Sequence, residues 1–449
     1  MLPPNLFGAK CLVFGVGVSG TAAACRLLEE GAAVFLEDGD KRRLSAALSA
    51  LDGARPYGGE EVEFVFRSPG IPLSHPLLSR LRARGARITG ETELALSRLP
   101  CPVFGVTGSN GKSTVTALAA HLLSAAGHTA HAGGNLGESL LPRLSTVKED
   151  HFAVLELSSF QLEDLTPALA RSAILNVAED HIDYHGSHAA YFAAKRRILS
   201  GMRVLPIGEE FAPLVTHSTV LFSATVPRNE ASARYPHHPI YLLEDGFVTL
   251  CRGGALRRLF PRSLFPLRGL PFAEDLLAAL ALCHRLLPVA AMARGAETFT
   301  GLAHRVRRVA RGGGISFFDS SIDTTPSRTA ATLSLFSEKE GEYSAPAVIV
   351  SGNSKGAELL PLAEALRQRA AGAVLLGDAI LPLLPLLSGF PTARASSMGE
   401  AITLALGWAK ERASAVLLSP GGTSFDLYRD YRERGNDFAR ISREIASTL

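Results

Sequence analysis

Residues Val103 to Thr114 read VFGVTGSNGKST: an apolar run, a glycine-rich turn, a lysine and two hydroxyls opening a helical stretch. Those types in that order suit phosphate chemistry. Gly108 and Gly111 permit a nest of backbone N–H groups, Lys112 would neutralise β- and γ-phosphate oxygens, and Ser113 could place its hydroxyl on a bound Mg²⁺. One position departs from G-x-x-x-x-G-K-[ST], because Val106 stands where the leading glycine is expected. A nucleoside triphosphate site is the expectation.

Further chemistry lies downstream. FAVLEL (152–157) is an apolar strand ending in Glu156, where a Mg²⁺ ligand or water-orienting carboxylate would sit. Taken by itself, Glu156 reads as a strand-end surface acid. NVAEDHIDYHGS brings Asp180, His181, Asp183 and His185 within six residues, which reads equally as a metal site or a polar loop. HAAYFAAKRRIL then forms a helix that turns Lys195 back towards this loop. Tyr191, Phe192 and Ile198 would bury the lysine in part, against the ordinary reading of a solvated one.

A second glycine-rich turn opens the chain. Gly15-Val16-Gly17-Val18-Ser19-Gly20 fits G-x-G-x-x-G after a strand and before a helix, with Glu37 and Asp38 about 20 residues on. A helix N-terminus there would meet a pyrophosphate. The plain alternative is a tight strand–helix turn that holds no ligand.

Three blocks of alternating strands and helices must position these groups. The first carries strand runs at 11–14, 33–37 and 62–66. The second starts near CPVFGVTG and passes through short proline-interrupted pieces between about Gly201 and Leu270 to a closing helix, AEDLLAALALCHRLL. The third, from about Glu297, has strands in GISFFDSS, APAVIVSGN, AGAVLLGD and ASAVLLSPGG. An α/β protein of three domains is the economical reading for 449 residues.

Composition excludes other classes. Hydrophobic residues make up 47% and charged residues 20%, as in a soluble globular protein. A formal charge of +3 is too small to argue for nucleic-acid binding by field alone, which leaves local phosphate sites open, and no nucleic-acid partner is expected. Five scattered cysteines without C-x-x-C spacing speak against a disulfide framework or zinc site. The N-terminus lacks a signal peptide's basic region, and no uncharged apolar run reaches the ~20 residues of a membrane span. A cytoplasmic protein, a monomer without membrane insertion, is expected.

TGSNGKST, GGNLG (133–137), ELSSFQLE (156–163), NVAEDHIDYHGS and YFAAKRRI, in this order, resemble the Mur ligase family, the ATP-dependent peptide ligases of cell-wall precursor synthesis. SPGIP (68–72), GETEL (90–94) and RERGNDFARI (432–441) are similar to its D-glutamate-adding members. The resemblance implies that ATP phosphorylates the carboxylate of UDP-N-acetylmuramoyl-L-alanine and that the amine of D-glutamate attacks the acyl phosphate. It further implies a Rossmann-like UDP-substrate domain (1–93), a P-loop-type ATP-binding central domain (94–296) and a Rossmann-like C-terminal amino-acid domain (297–449).

Carried over by position, Gly108, Ser109, Asn110, Gly111, Lys112, Ser113, Thr114, Arg305 and Asp319 would contact ATP. Ser113, Glu156, His181 and a carbamylated Lys195 would hold two Mg²⁺ ions. Gly15, Gly17, Ser19, Gly20, Asp38, Ser68, Pro69, Gly70 and Asn135 would face the UDP-linked substrate, and Thr324, Lys355, Ser424 and Phe425 the D-glutamate. Three motifs depart from the family pattern. PFAED has Phe272 and Asp275 where asparagines are usual; DSSIDTT offers Asp319 or Asp323 for a displaced aspartate; SGNSKG has Asn353 where an aspartate is common.

Rival readings are a sister ligase adding the third amino acid, a folylpolyglutamate-type ligase, an NAD-dependent oxidoreductase using the first turn, and a non-catalytic nucleotide-binding scaffold. Against the first, this chain has no D-N-P-R-type motif for a diamino acid; the second needs no such first domain, and the oxidoreductase leaves VTGSNGKST and Lys195 unexplained.

Overall fold

In the computed structural model, residues 2–135, 139–178, 182–267, 269–336, 345–354, 356–412 and 415–449 are described. The apolar runs form strands buried on both faces, as parallel sheets require. In the first strand, β1 (Lys10–Phe14), Cys11 and Val13 join one core cluster, whereas Leu12 and Phe14 join another across the sheet.

β1 pairs in parallel with β2 (Ala33–Glu37), which pairs with the short β3 (Arg55–Pro56). On its other side β1 pairs with β4 (Phe64–Arg67), and β4 with β5 (Arg87–Gly90), giving the order β3-β2-β1-β4-β5. Strand order reverses between β1 and β4, so the crevice at their carboxyl ends is the place for a ligand.

The second sheet contains β6 (Val103–Thr107), β7 (Ala130–Gly134), β8 (Phe152–Glu156), β9 (Arg171–Ile174), β10 (Met202–Pro206), β11 (Thr219–Ser223), β12 (Ile240–Glu244), β13 (Phe247–Arg252) and β14 (Ala255–Pro261). Its order is β14-β13-β12-β11-β10-β9-β6-β8-β7, parallel except for the antiparallel pairs β12–β13 and β13–β14. β8 lies beside β6, so Val106 and Glu156 are register partners.

The third sheet contains β15 (Arg307–Gly312), β16 (Ile315–Asp319), β17 (Ala347–Ser351), β18 (Gly372–Leu376), β19 (Thr392–Ala395) and β20 (Ala415–Gly421), in the order β15-β16-β20-β17-β18-β19. Val348 and Val350 pack on one face of it, Ala347 and Ile349 on the other. Contacts group the chain into two units. One comprises Met1–Leu264 and Glu274–Glu297, and the other Phe265–Ala273 and Thr298–Leu449. No described helix is long and apolar enough to cross a membrane.

Candidate active site

β6 is buried throughout and delivers the turn to the helix Lys112–Ala125. Gly111 has φ +81°, a backbone conformation that favours glycine, and Asp275 Oδ1 lies against the place of its missing Cβ. The turn is clamped to the segment after β9. Ser109 N donates to Asn176 O (3.0 Å), and Asn110 N to Asn176 Oδ1 (2.8 Å). Ala178 N in turn donates to Ser109 Oγ at 2.9 Å. With those two N–H groups committed, the start of the helix remains to face phosphate, since its first N–H groups have no intrahelical acceptors. Lys112 Nζ lies back across the turn, donating to Gly108 O and Ser109 O at 2.8 Å each. Ser113 and Thr114 are buried in the helix's first turn.

Glu156 ends β8 at 2% exposure. Its Oε1 accepts from Asn135 Nδ2 at 3.0 Å, while the buried Oε2 has no hydrogen-bond partner among the described residues. A buried carboxylate oxygen left in this way is costly unless a cation meets it. Glu156 and the Ser113 hydroxyl are hard oxygen donors and fit Mg²⁺. No cluster of three or more His, Cys, Asp or Glu able to hold a metal occurs among the described residues, and His181 lies outside them.

Lys195 is likewise buried, at 2% exposure. Its Nζ donates to Gly108 O at 2.8 Å and sits 4.4 Å from the centre of the Tyr191 ring, whose hydroxyl meets Ser109 Oγ at 3.1 Å. The lysine therefore touches the phosphate turn directly, through the same carbonyl that Lys112 uses. Lys112, Asn135 and Lys195 line one cavity of about 360 Å³ together with Pro69 and Gly70 from the loop after β4, and Ser159, Phe160 and Tyr184.

Arg67, which the sequence reading passed over, explains how that loop reaches the cavity. At 3% exposure it donates to Pro69 O (3.2 Å) and Ile71 O (2.7 Å) on its own side. It also donates to Phe160 O (2.8 Å) and Asp164 Oδ2 (2.6 Å) in the ELSSFQLE segment. One buried guanidinium thus holds two loops with its rigid fork of donors. Its only sequence signal is a charge at the end of the apolar run FVF.

At the first sheet, Gly15 has φ +91°, and a Cβ on Gly20 would strike Gly15 O, whereas one on Gly17 would meet nothing within 4 Å. That is the pattern of a turn with open space at its middle glycine. Ser68 Oγ donates to Gly15 O at 2.7 Å across the β1/β4 crevice, and Ser19 lies half-buried in the helix behind the turn. Asp38 does not stand free: Oδ2 accepts from Val16 N and Oδ1 from Asp40 N, both at 2.8 Å, so its carboxylate braces the turn itself.

In the second unit, Asp319 ends β16 and is buried. Its Oδ1 accepts from Ser321 N at 2.8 Å, and its Oδ2 lies 2.9 Å from His304 Nδ1. Asp323 faces inward, accepting from Ser419 Oγ (2.7 Å) and Thr332 Oγ1 (2.8 Å), and burial pushes its carboxyl above the usual range. Arg305 and Thr324 are half-buried, Ser424 is buried and Phe425 is 71% exposed. Lys355 lies outside the described residues.

Behind them Arg434, at 1% exposure, donates to Ser321 O, Gly422 O and Ser351 Oγ at 3.1–3.2 Å, tying together the ends of β16, β20 and β17. Burial lowers its pKa to about 10. Arg434→Met would leave these acceptors without a donor. We expect it to cost about 3 kcal/mol of stability, read as a lower urea midpoint. An unchanged midpoint would remove the arginine from this role.

The family model described as Mur ligase middle domain matches residues 106–211. The chain is 35% identical to the UDP-N-acetylmuramoylalanine–D-glutamate ligase of Nitrosococcus oceani, over 98% of this chain and 97% of that protein. It is 34% identical to the ligase of the same name from Pseudomonas aeruginosa, over 97% and 98%. Among solved structures it resembles UDP-N-acetylmuramate-alanine ligase MurC from Thermotoga maritima, with TM-score 0.56, 19% identity and 98% and 100% of the two chains covered. It also resembles MurF ligase from the same organism in complex with ADP, with TM-score 0.53, 14% identity and 100% and 97% covered.

Proposed function

The chain belongs to the Mur ligase family, and on that premise we propose that it joins D-glutamate to UDP-N-acetylmuramoyl-L-alanine, cleaving ATP to ADP and phosphate during peptidoglycan precursor synthesis. The observation that carries this reading is the shared cavity. Lys112 of the phosphate turn and Gly70 of the loop after β4 line the same space, so a carboxylate presented from the first sheet can meet a γ-phosphate. Residues 1–93 take the UDP-linked substrate, 94–296 ATP and 297–449 the amino acid. The enzyme works as a monomer in the cytoplasm.

In the first step a carboxylate oxygen attacks the γ-phosphorus, the bond to the β-phosphate oxygen breaks, and ADP leaves with that electron pair. Lys112 exchanges its two carbonyl partners for phosphate oxygens and balances the charge that develops on them. Ser113, Glu156, His181 and a carbamylated Lys195 would hold Mg²⁺, which neutralises the phosphate oxygens so that an anionic carboxylate can approach. In the second step the D-glutamate amine attacks the acyl carbon, loses a proton, and expels phosphate with the oxygen that came from the substrate carboxylate. Thr324, Lys355, Ser424 and Phe425 receive the amino acid, with Lys355 opposing a carboxylate. Arg305 and Asp319 serve ATP.

This route is tested by labelling the substrate carboxylate with ¹⁸O. One labelled oxygen should appear in the released phosphate, and unlabelled phosphate with full product formation would overturn the acyl-phosphate step. Lys195→Ala should be inactive yet partly rescued by added acetate, because carbamylation would supply a carboxylate-like ligand at that place. Full activity without acetate would return Lys195 to a packing role beneath the turn.

A further inference from the structure

A second cavity, of about 300 Å³, lies between the antiparallel strands β12 to β14 and the segment joining the helices Leu270–Leu282 and Val289–Thr298. Its walls are of two kinds. Leu250, Leu259, Leu287 and Met292 supply apolar surface, and Arg252, Arg257 and Arg285, all three exposed, line its solvent side. No side-chain hydrogen bond or ion pair of these three arginines occurs among the described residues, and no acidic residue lines the cavity.

Relief of the helix end does not account for them. Half-buried Arg171 already donates to Leu282 O and His284 O, at 2.8 Å each, where the first helix finishes. The remaining polar lining is a neutral pair, with Tyr241 OH 3.1 Å from His284 Nδ1. Burial first, and then Arg285, Arg171 and Arg252, lower the His284 pKa to about 4, so the imidazole is uncharged at neutral pH. Whichever of the two donates in that contact, the neutral pair keeps one further N–H or O–H. The cavity is therefore rich in donors, positive and partly apolar.

We propose that this cavity binds a phosphate monoester carried on a small apolar body, its oxygens held by Arg252, Arg257 and Arg285. A dianionic phosphate offers three acceptor oxygens to planar guanidinium forks, which suit it better than a single carboxylate does. The leucines and Met292 take the apolar part, and the volume has room for about ten waters or a ligand of similar bulk.

The test is calorimetric titration of the full chain, saturated with ADP to fill the phosphate turn, using phenyl phosphate, benzoate and inorganic phosphate as probes. Phenyl phosphate should bind saturably and at least tenfold more tightly than either other probe. The double replacement Arg252→Ser/Arg257→Ser should weaken it at least tenfold while leaving ligase turnover unchanged. Val289→Trp, which fills the cavity from a half-buried position, should abolish it in a protein that melts normally. Absence of saturable binding, or equal binding by wild type and both variants, overturns the proposal.

Discussion

Replacing Lys112 with alanine is expected to lower turnover by at least about a thousandfold, because transition-state charge on the transferring phosphoryl group would lose the cation of the turn itself. The ammonium is poised on Gly108 O and Ser109 O, within the turn itself, so little of the surroundings must move when phosphate arrives. Of the two carbonyls it leaves, Gly108 O keeps Lys195 Nζ and Ser109 O can be met by water, so the melting temperature should change little. Binding of ATP should weaken in parallel, read by titration with a non-hydrolysable analogue. Turnover within tenfold of wild type would take the loop out of the chemistry.

Glu156→Gln should separate stability from activity. The native carboxylate is 2% exposed and carries one buried oxygen without a partner among the described residues. Without metal that oxygen meets neither a donor nor a cation among the described residues, and glutamine replaces the acid while still offering an oxygen to Asn135 Nδ2. The metal-free variant should be more stable than wild type by about 1–3 kcal/mol. It should also lose the stabilisation that millimolar Mg²⁺ gives the wild-type protein, and turnover should fall at least about a hundredfold. Destabilisation in chelator, with the Mg²⁺ response intact, would show that Glu156 is not a cation ligand.

How much of this was readable in the residues depends on what signals each element. β1, β2, β6 and β8 announce themselves as runs of Val, Leu and Phe, and the structure places all four within a residue of expectation. β7 does not. Its sequence AHAGG lacks β-branched residues, because it is an edge strand held only by β8, yet it delivers Asn135 to Glu156. β15, RRVARG, was hidden by its charges, which suit another edge position.

The phosphate turn, Glu156 and Lys195 were legible as types at a spacing. That Lys195 touches the turn through Gly108 O is long-range geometry, which no local pattern encodes. The motif likewise marked Asp38, and what no local pattern gave is that its carboxylate accepts from Val16 N in the turn. Arg67 and Arg434 were missed because a buried arginine looks like a surface one until its partners are known. For Arg434 a usable clue existed, since it shares a helix face with the buried Phe438 and Ser442.

The alternatives narrow on the same grounds. An oxidoreductase or a bare scaffold would not require the chain to align end to end with D-glutamate-adding ligases. The sister ligase differs from the proposed one only in its substrate pair, so the substrate pair is what must be measured. The direct measurement is phosphate release with ATP and Mg²⁺ across a panel of UDP-linked precursors and amino acids. UDP-N-acetylmuramoyl-L-alanine with D-glutamate should release phosphate in step with product, and omission of either partner, or exchange for L-glutamate, should stop it. No turnover with that pair, while a dipeptide precursor and a diamino acid react, would contradict the account.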